Sequence, residues 1–516
     1  MPSEPLTADR AEEVLCGEAE RHRVDMVLRR IGRHRYRAAS ADGWVEFARR
    51  AHADDAGVDR YHYDLTATSG RSPLQWTGSD RRLGTDAELA PAHPDPDGNS
   101  FPFAFDQIAQ FFDSRHAPDL VVQHHPSHCY GDNIGQHGSL GVVQARAPFF
   151  AAGSGLETRG VVEGAARMVD IAPTVMHLLG GSRHPSGVGP TGARRHDALL
   201  ARQDGDPMSS HMEYGGARHV VVVLLDGCNH NELTAQVTAG RAPNLGLIAR
   251  EGFTMRDGLI ASMPTATLAN HTTACTGAHP GHSGVLHNMW MERGTRHTPD
   301  LLALDQVADA MRHLHPEVET VHEAVHRSLP DSYCAALFEF CDRGADFSSF
   351  AGVRRGHVPA TPDLSSVPYV HADMVASSEM YGFMSAVDEV ATRQAVDQWR
   401  RGADHPLPTF TFLSLALTDE AGHESGPHSP AVAAAIVESD HRIGRLFDAV
   451  DSAGAWHDTA VLVIADHGME GCDPTNAGRA TAVLDECFDP TSFTDVADGF
   501  VYLHGADPAR SSARRA

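Results

Sequence analysis

The sequence contains no lysine, so all 42 of its fixed basic side chains are arginine. This absence excludes a lysine general base and leaves arginine as the one fixed cation that could surround a terminal phosphate. Basic residues are also few beside 68 acids, and the formal charge is -26. Such a surface lacks the clustered cations that neutralise a polyanion, which excludes polymeric nucleic acid as a partner. No apolar run approaches membrane-spanning length, and the opening "MPSEPLTADRAEEVL" has no basic stretch followed by an apolar one. The eight cysteines, at 16, 129, 228, 275, 334, 341, 472 and 487, show no paired spacing, so free thiols are expected. Together these absences predict a cytoplasmic protein that engages no membrane.

What is present is a 516-residue chain with 41% hydrophobic residues. That suits one large α/β domain with insertions, or two to three smaller domains. Near the start, "RHRYRAASADGWVEFARR" reads as a hairpin turning at Asp42-Gly43. The density of Pro, Asp and Gly from Gly84 to Asn99 predicts a loop. "APDLVVQHHPSH" and "GVVQARAPFFAAG" each predict a strand. "MVDIAPTVMHLLGG" predicts a helix capped at Asp170, with Pro173 in its first turn and Gly180 as its stop. Residues 181–217, rich in Gly, Pro, Ser and Arg without apolar periodicity, read as a linker. After them "HVVVVLLDG", "FTFLSLALTDEAGH" and "TAVLVIADHGM" are continuous apolar runs of the kind a buried parallel strand needs. Three such strands separated by helical material predict a doubly wound α/β sheet, whose ligand site lies beyond the carboxyl ends of the strands.

Each of the three strands ends in an aspartate: Asp226, Asp419 and Asp466. His423 follows Asp419 by four residues and His467 adjoins Asp466. One carboxylate at a strand tip is an ordinary turn cap. Three in one crevice need a counter-charge, and divalent metal bound by oxygen and imidazole supplies it, as zinc or alternatively manganese or iron. With 34 histidines in the chain, a histidine is informative only through such a position. "PTATLANHTTACTG" follows the first of these strands and its helix, and its leading threonines would sit at a helix N-terminus, where free N–H groups favour an anion. A threonine hydroxyl is nearly inert at neutral pH; a bound metal lowers its pKa as it lowers that of water.

In combination, "VVLLDG", "APNLGLIAREG", "PTATLANHTTACTGAHPGHSGVLHN", "DEAGHESGP" and "IADHGM" resemble the type I phosphodiesterase/nucleotide pyrophosphatase family of the alkaline phosphatase superfamily. The likeness covers most of 218–470 apart from its middle stretch. It implies an alkaline-phosphatase-like α/β fold, a mostly parallel sheet sandwiched by helices, with a cap-like insertion at about 296–405. It also implies a nucleophile three residues before an Asn-His pair, which is Thr267, with Asn270 and His271 following. Thr265, Thr272 and Thr273 then read as turn or helix residues. Of the two zinc sites implied, one takes Asp226, Thr267, Asp466 and His467, and the other takes Asp419, His423 and a histidine from an HG motif after the DHG motif.

The chain departs from the family here, because the HG that follows Asp466 is His504-Gly505, close to the end of the sequence. "GQHGSLGVVQARAPFF" and "MVDIAPTVMHLLG", at 135–180, resemble the family's terminal strand and helix instead. A circular permutation accounts for this: 218–516 is the usual beginning, 1–180 the usual end, and 181–217 the linker. His137 is then the missing ligand, and His504 or water is the alternative. His124, His125 and His128 are loop residues by default. Tyr369 and Tyr381 in the insertion could stack a base or alcohol, or pack the insertion's own core.

The function expected is hydrolysis of a small phosphodiester or pyrophosphate through a phospho-threonine intermediate, with two zinc ions roughly 4 Å apart and Asn270 holding a non-bridging oxygen. A phosphonate hydrolase or a phosphomonoesterase could use the same residues, the latter with an added arginine. A sulfatase would need Cys or Ser at 267, and a metal-holding binding protein would need neither Thr267 nor Asn270. Substrate and oligomeric state are left open.

Overall fold

Six consecutive branched apolar residues, Val220 to Leu225, offer water no polar face, and all six are buried in a strand with a neighbour on each side. The computed structural model describes residues 6–53, 59–74, 101–303, 306–400 and 404–504. The central sheet has eight strands: β1 (Phe149–Gly153), β2 (Gly160–Val162), β3 (His219–Leu225), β4 (Phe253–Met255), β5 (Cys334–Leu337), β6 (Phe347–Ser348), β7 (Phe410–Leu415) and β8 (Thr459–Ile464). Their order is β2-β4-β1-β8-β3-β7-β5-β6. Every pairing is parallel except those of β1, which runs against β4 and β8.

Two helical layers cover the sheet. One contains α1 (Ile171–Leu178), α3 (Thr267–Thr276) and α4 (Val321–Ser328), which contact one another. The other contains α2 (Pro243–Glu251), α5 (Glu379–Gln398), α6 (Leu417–Ser425) and α7 (Pro430–Ser452). This is the mixed α/β, mostly parallel architecture the apolar runs predict. Parallel neighbours require crossover connections, and helices with one apolar stripe supply them.

A second sheet of seven antiparallel strands joins the two ends of the chain. Its order is 493–496, 500–503, 120–124, 24–32, 35–40, 43–53 and 59–70. The hairpin expected at Asp42-Gly43 is here, with Ser40 opposite Gly43. Its buried face packs on the helix 104–111 and on Met263, Leu268, Val285 and Trp290, so it backs the segment carrying Thr267.

Five expectations need correction or placement. The stretch 296–405 is not simply a cap: it supplies β5 and β6, because "CAAL" is a short apolar run buried at all four positions. Tyr381 is buried in the main core with its hydroxyl on Glu438, whereas Tyr369 is half-buried and donates its hydroxyl to Glu389. Residues 181–217 are largely irregular, as their composition predicts, yet Arg195, Gln203 and Asp204 within them are buried and hydrogen-bonded. Nor are the cysteines all free, for Cys129 and Cys472, 343 residues apart, form a disulfide. Such a separation leaves no spacing signal, and the bond removes the free thiols as a premise for a cytoplasmic protein. The loop expected at 84–99 lies outside the described residues. Among those described, no helix is long and apolar enough to cross a membrane.

Candidate functional site

Asp226 and Asp466 lie just beyond the ends of β3 and β8, and Asp419 lies in the first turn of α6, which follows β7. Parallel register places the three strand ends level with one another, so the carboxylates converge. Gly227 makes this approach possible. It adopts φ +64°, and a Cβ there would lie 2.4 Å from Asp419 Oδ1. Its N–H donates to Asp466 Oδ1 at 3.0 Å, leaving Oδ2 as the inward oxygen.

Thr267 is the first residue of α3, after Ala266 in an extended conformation, and its Oγ1 lies 3.5 Å from His467 Nε2. The helix continues with all of its residues buried. Thr272, Thr273 and Thr276 spend their hydroxyls on carbonyls four residues back, which satisfies them without any chemical role. Gly277, at φ +67°, ends the helix.

Four imidazoles face the carboxylates in a common way. Nδ1 of His137 donates to the Thr265 carbonyl at 2.8 Å, that of His423 to Gly135 at 2.8 Å, and that of His467 to Gly468 at 3.0 Å. His271 Nδ1 donates to Glu339 Oε2 at 2.8 Å. A ring whose Nδ1–H is committed to an acceptor presents the lone pair of Nε2 when neutral, the arrangement that prepares histidine for a metal. His137 Nε2 lies 3.1 Å from His423 Nε2 and 3.8 Å from Asp419 Oδ1, and His423 Nε2 lies 3.3 Å from Asp419 Oδ2. His467 Nε2 is 3.0 Å from Asp466 Oδ2 and 3.7 Å from Asp226 Oδ1. His271 Nε2 is 3.8 Å from both Asp226 Oδ2 and Asp466 Oδ2.

The electrostatics call for a cation. Burial, reinforced by the charges of Asp466 and Asp419, pushes the Asp226 carboxyl well above its usual range. Burial opposes charge on His423, but the charge and hydrogen bond of Asp419 outweigh it and raise that imidazole to about 9. Burial, reinforced by His467, lowers His137 to about 3. Asp226 Oδ1, Asp419 Oδ1, Asp466 Oδ2 and His271 Nε2 are buried without a hydrogen-bond partner. Leaving such atoms unpaired is costly, and divalent cations would satisfy them. The donors fall into the overlapping groups His137/Asp419/His423, Asp226/Asp419/His467 and Asp226/His271/Asp466, each with its ligand atoms within 4.8 Å of one another. Oxygen and imidazole nitrogen suit zinc. The residues present therefore fit a pair of metal ions.

Of the residues named from sequence, Asp226, Thr267, Asp419, His423, Asp466, His467 and His137 are brought together here. His504 is elsewhere, with its Nε2 2.7 Å from Thr494 Oγ1 in the second sheet. Asn270 requires correction. It is fully buried, its Oδ1 accepts from the Ser262 N–H, and its Nδ2 is directed at the carbonyls of Ser262, Pro264 and Ala266. Its amide braces the loop and is spent, so it has no donor left for an oxyanion.

Asn288 is better placed. Its Oδ1 accepts the N–H of Leu268, next to Thr267, at 2.9 Å, which brings its amide to the start of α3. Sequence reasoning missed it because a loop separates the two. His271 and Glu339 were also missed as site residues. His271 stands four residues after Thr267, one helical turn on. Glu339 stands two residues past the end of β5, where the strand-end rule would have found it.

Comparison with known proteins gives one family match and several partial relatives. Residues 220–512 match the family model described as "Type I phosphodiesterase / nucleotide pyrophosphatase". Rat ectonucleotide pyrophosphatase/phosphodiesterase family member 1 is 36% identical over 76 residues, 15% of this chain and 8% of that protein. Mouse family member 3 is 24% identical over 269 residues, 52% of this chain and 26% of that protein. A human bis(5'-adenosyl)-triphosphatase is 26% identical over 119 residues, 23% of this chain and 25% of that protein. The matched stretches thus span about a quarter or less of these relatives. Among solved structures, murine ectonucleotide pyrophosphatase/phosphodiesterase 5 is similar with TM-score 0.42 and 19% identity, covering 58% of this chain and 69% of the other. Phosphonoacetate hydrolase from Sinorhizobium meliloti, in complex with phosphonoformate, gives TM-score 0.39 and 20% identity, covering 58% and 73%.

Proposed function

The chain belongs to the type I phosphodiesterase/nucleotide pyrophosphatase family, and from that membership we propose that it hydrolyses small phosphodiesters or nucleotide pyrophosphates, with Thr267 as nucleophile at a two-zinc centre. The observation that carries the reading is the set of four imidazoles anchored at Nδ1 and aimed through Nε2 at three carboxylates bearing unpartnered oxygens. His137, Asp419 and His423 would hold one ion. Asp226, Asp466, His467 and Thr267 would hold the other, with His271 close by. When bound, the pair supplies the positive charge that acidifies the threonine hydroxyl and stabilises the departing oxygen.

The chain's own groups do the rest. Thr267 Oγ forms a bond to phosphorus as the leaving alkoxide or phosphate departs with its electron pair. Water then attacks the phospho-threonine in line and returns Thr267 as leaving group. The positive end of the α3 dipole at Thr267 favours the phosphoryl oxygens. The side-chain amide of Asn288 supplies the donor that Asn270 lacks.

We read the topology as a circular permutation. The family match begins at 220, inside β3, whereas His137 and β1 come from the segment before it.

The test is Thr267→Ala in metal-loaded protein on a bis-aryl phosphodiester, with zinc content measured in parallel. Nearly all turnover is expected to disappear while zinc content stays close to that of the parent. Retained turnover would end the reading.

A further inference from the structure

A separate constellation of metal-binding side chains stands at the other end of the sheet. β5 opens with Cys334, β6 is preceded by Asp346, and the last turn of α4 carries His326. Cys334 and Val220 both pair with Phe410, so Cys334 is level with the start of β3, whereas Asp226 follows its end. Six strand residues separate the two levels, roughly 20 Å. One ligand atom from each of Cys334, His326 and Asp346 lies within 4.8 Å of the other two.

The backbone holds these residues in place. β5 and β6 run parallel with Ala335 opposite Phe347, so the residues just before those partners, Cys334 and Asp346, stand side by side. The Asp346 N–H donates to the Cys334 carbonyl at 2.9 Å, and the Cys334 N–H donates to Asp346 Oδ2 at 2.7 Å. His326 Nδ1 is 3.0 Å from the Ser332 hydroxyl, and its Nε2 is 3.1 Å from Asp346 Oδ2. As at the catalytic site, one ring nitrogen is engaged by a neighbouring polar group while the other faces the cluster. A capping box between Thr320 and Glu323 secures the opposite end of α4.

We propose that Cys334, His326 and Asp346 form a second, independent zinc site that ties the end of α4 to the edge of the sheet. A thiolate, a carboxylate and a neutral imidazole together cancel the charge of one divalent ion. The sulfur donor selects zinc over magnesium, calcium or manganese. Zinc bound to sulfur at about 2.3 Å and to nitrogen and oxygen at about 2.0 Å brings ligand atoms to roughly 3–4 Å from one another, so only a slight closure of the three side chains is needed. The side chains of His326 and Asp346 are 31% and 37% exposed, which gives the ion an entry from solvent to the buried Cys334. Three protein ligands leave a fourth position for water.

The test uses the full chain stripped with chelator and titrated with cobalt(II), then with zinc. The strand-tip site has only oxygen and nitrogen donors, so a near-ultraviolet thiolate-to-cobalt charge-transfer band reports the cysteine site alone. The parent is expected to show the band and to bind one more equivalent of zinc than Cys334→Ser, which lacks the band. His326→Gln and Asp346→Asn, at part-exposed positions, are expected to weaken zinc at this site at least tenfold and to keep their fold by circular dichroism. No band in the parent, a band surviving in Cys334→Ser, or unchanged zinc affinity in both part-exposed variants would overturn the proposal.

Discussion

The side-chain amides of Asn270 and Asn288 predict different phenotypes. Asn270 spends its amide on the 262–270 loop. Asn270→Ala strips those buried carbonyls of their donor, a loss of about 1–3 kcal/mol, so its melting temperature should fall. Asn288→Ala removes one acceptor, that of the Leu268 N–H, and so should lower the melting temperature less than Asn270→Ala, while it lowers kcat on a diester by about 10²-fold, as loss of an oxyanion donor does. Steady-state kinetics beside thermal melts separate the two. Gly227→Ala should abolish metal binding, because the added methyl would collide with Asp419; zinc analysis checks it. His282 sets a pH dependence. It is wedged between Asp113 and Asp204 at 2.9 and 2.6 Å. Burial opposes its charge, yet Asp204 and then Asp113 raise its pKa, while both carboxyls are held below their usual range. The His282 contribution is full below its ordinary pKa and is lost as pH rises through the raised value. The carboxylate contribution is full above the ordinary aspartate range and is lost as pH falls. Melting temperature should therefore peak between the two, and His282→Gln should make the alkaline decline shallower.

At the scale of elements, the strand ends were legible from sequence because an unbroken apolar run closed by Asp is itself the signal of a buried parallel strand meeting a crevice. β3, β7 and β8 and their aspartates followed from that pattern. β5 was hidden because four residues cannot be told from a helix fragment by periodicity, and Glu339 was hidden with it. Asn270 misled for a different reason: a polar residue one turn into a helix faces the ligand or its own loop depending on where the preceding carbonyls point, and that is a tertiary fact. The Cys129–Cys472 bridge was equally invisible in one dimension. It ties a short strand, 128–129, to the segment after the strand-tip His467, so it restrains the loop that leads to His137. Replacing both cysteines with serine should cost about 2–4 kcal/mol in denaturant unfolding and should weaken zinc at the His137 half of the centre more than at the other.

For the whole molecule, the permuted reading makes a direct prediction. Leu6 and Leu503 share one small core with Leu15, Leu484 and Phe493, so the two ends of the described chain are neighbours. A gene rearranged to begin near 218, with the present ends joined by a short linker, should yield protein with the same circular dichroism and diester turnover. Loss of folding would count against it. The antiparallel β1 has a further consequence, for synthesis on the ribosome. Residues 149–153 emerge some three hundred positions before β8, and the first hairpins of the second sheet emerge before 493–503 exists. Those strand margins therefore stay without their later partners until the end of the chain is made, an interval in which an exposed edge can pair with a stranger.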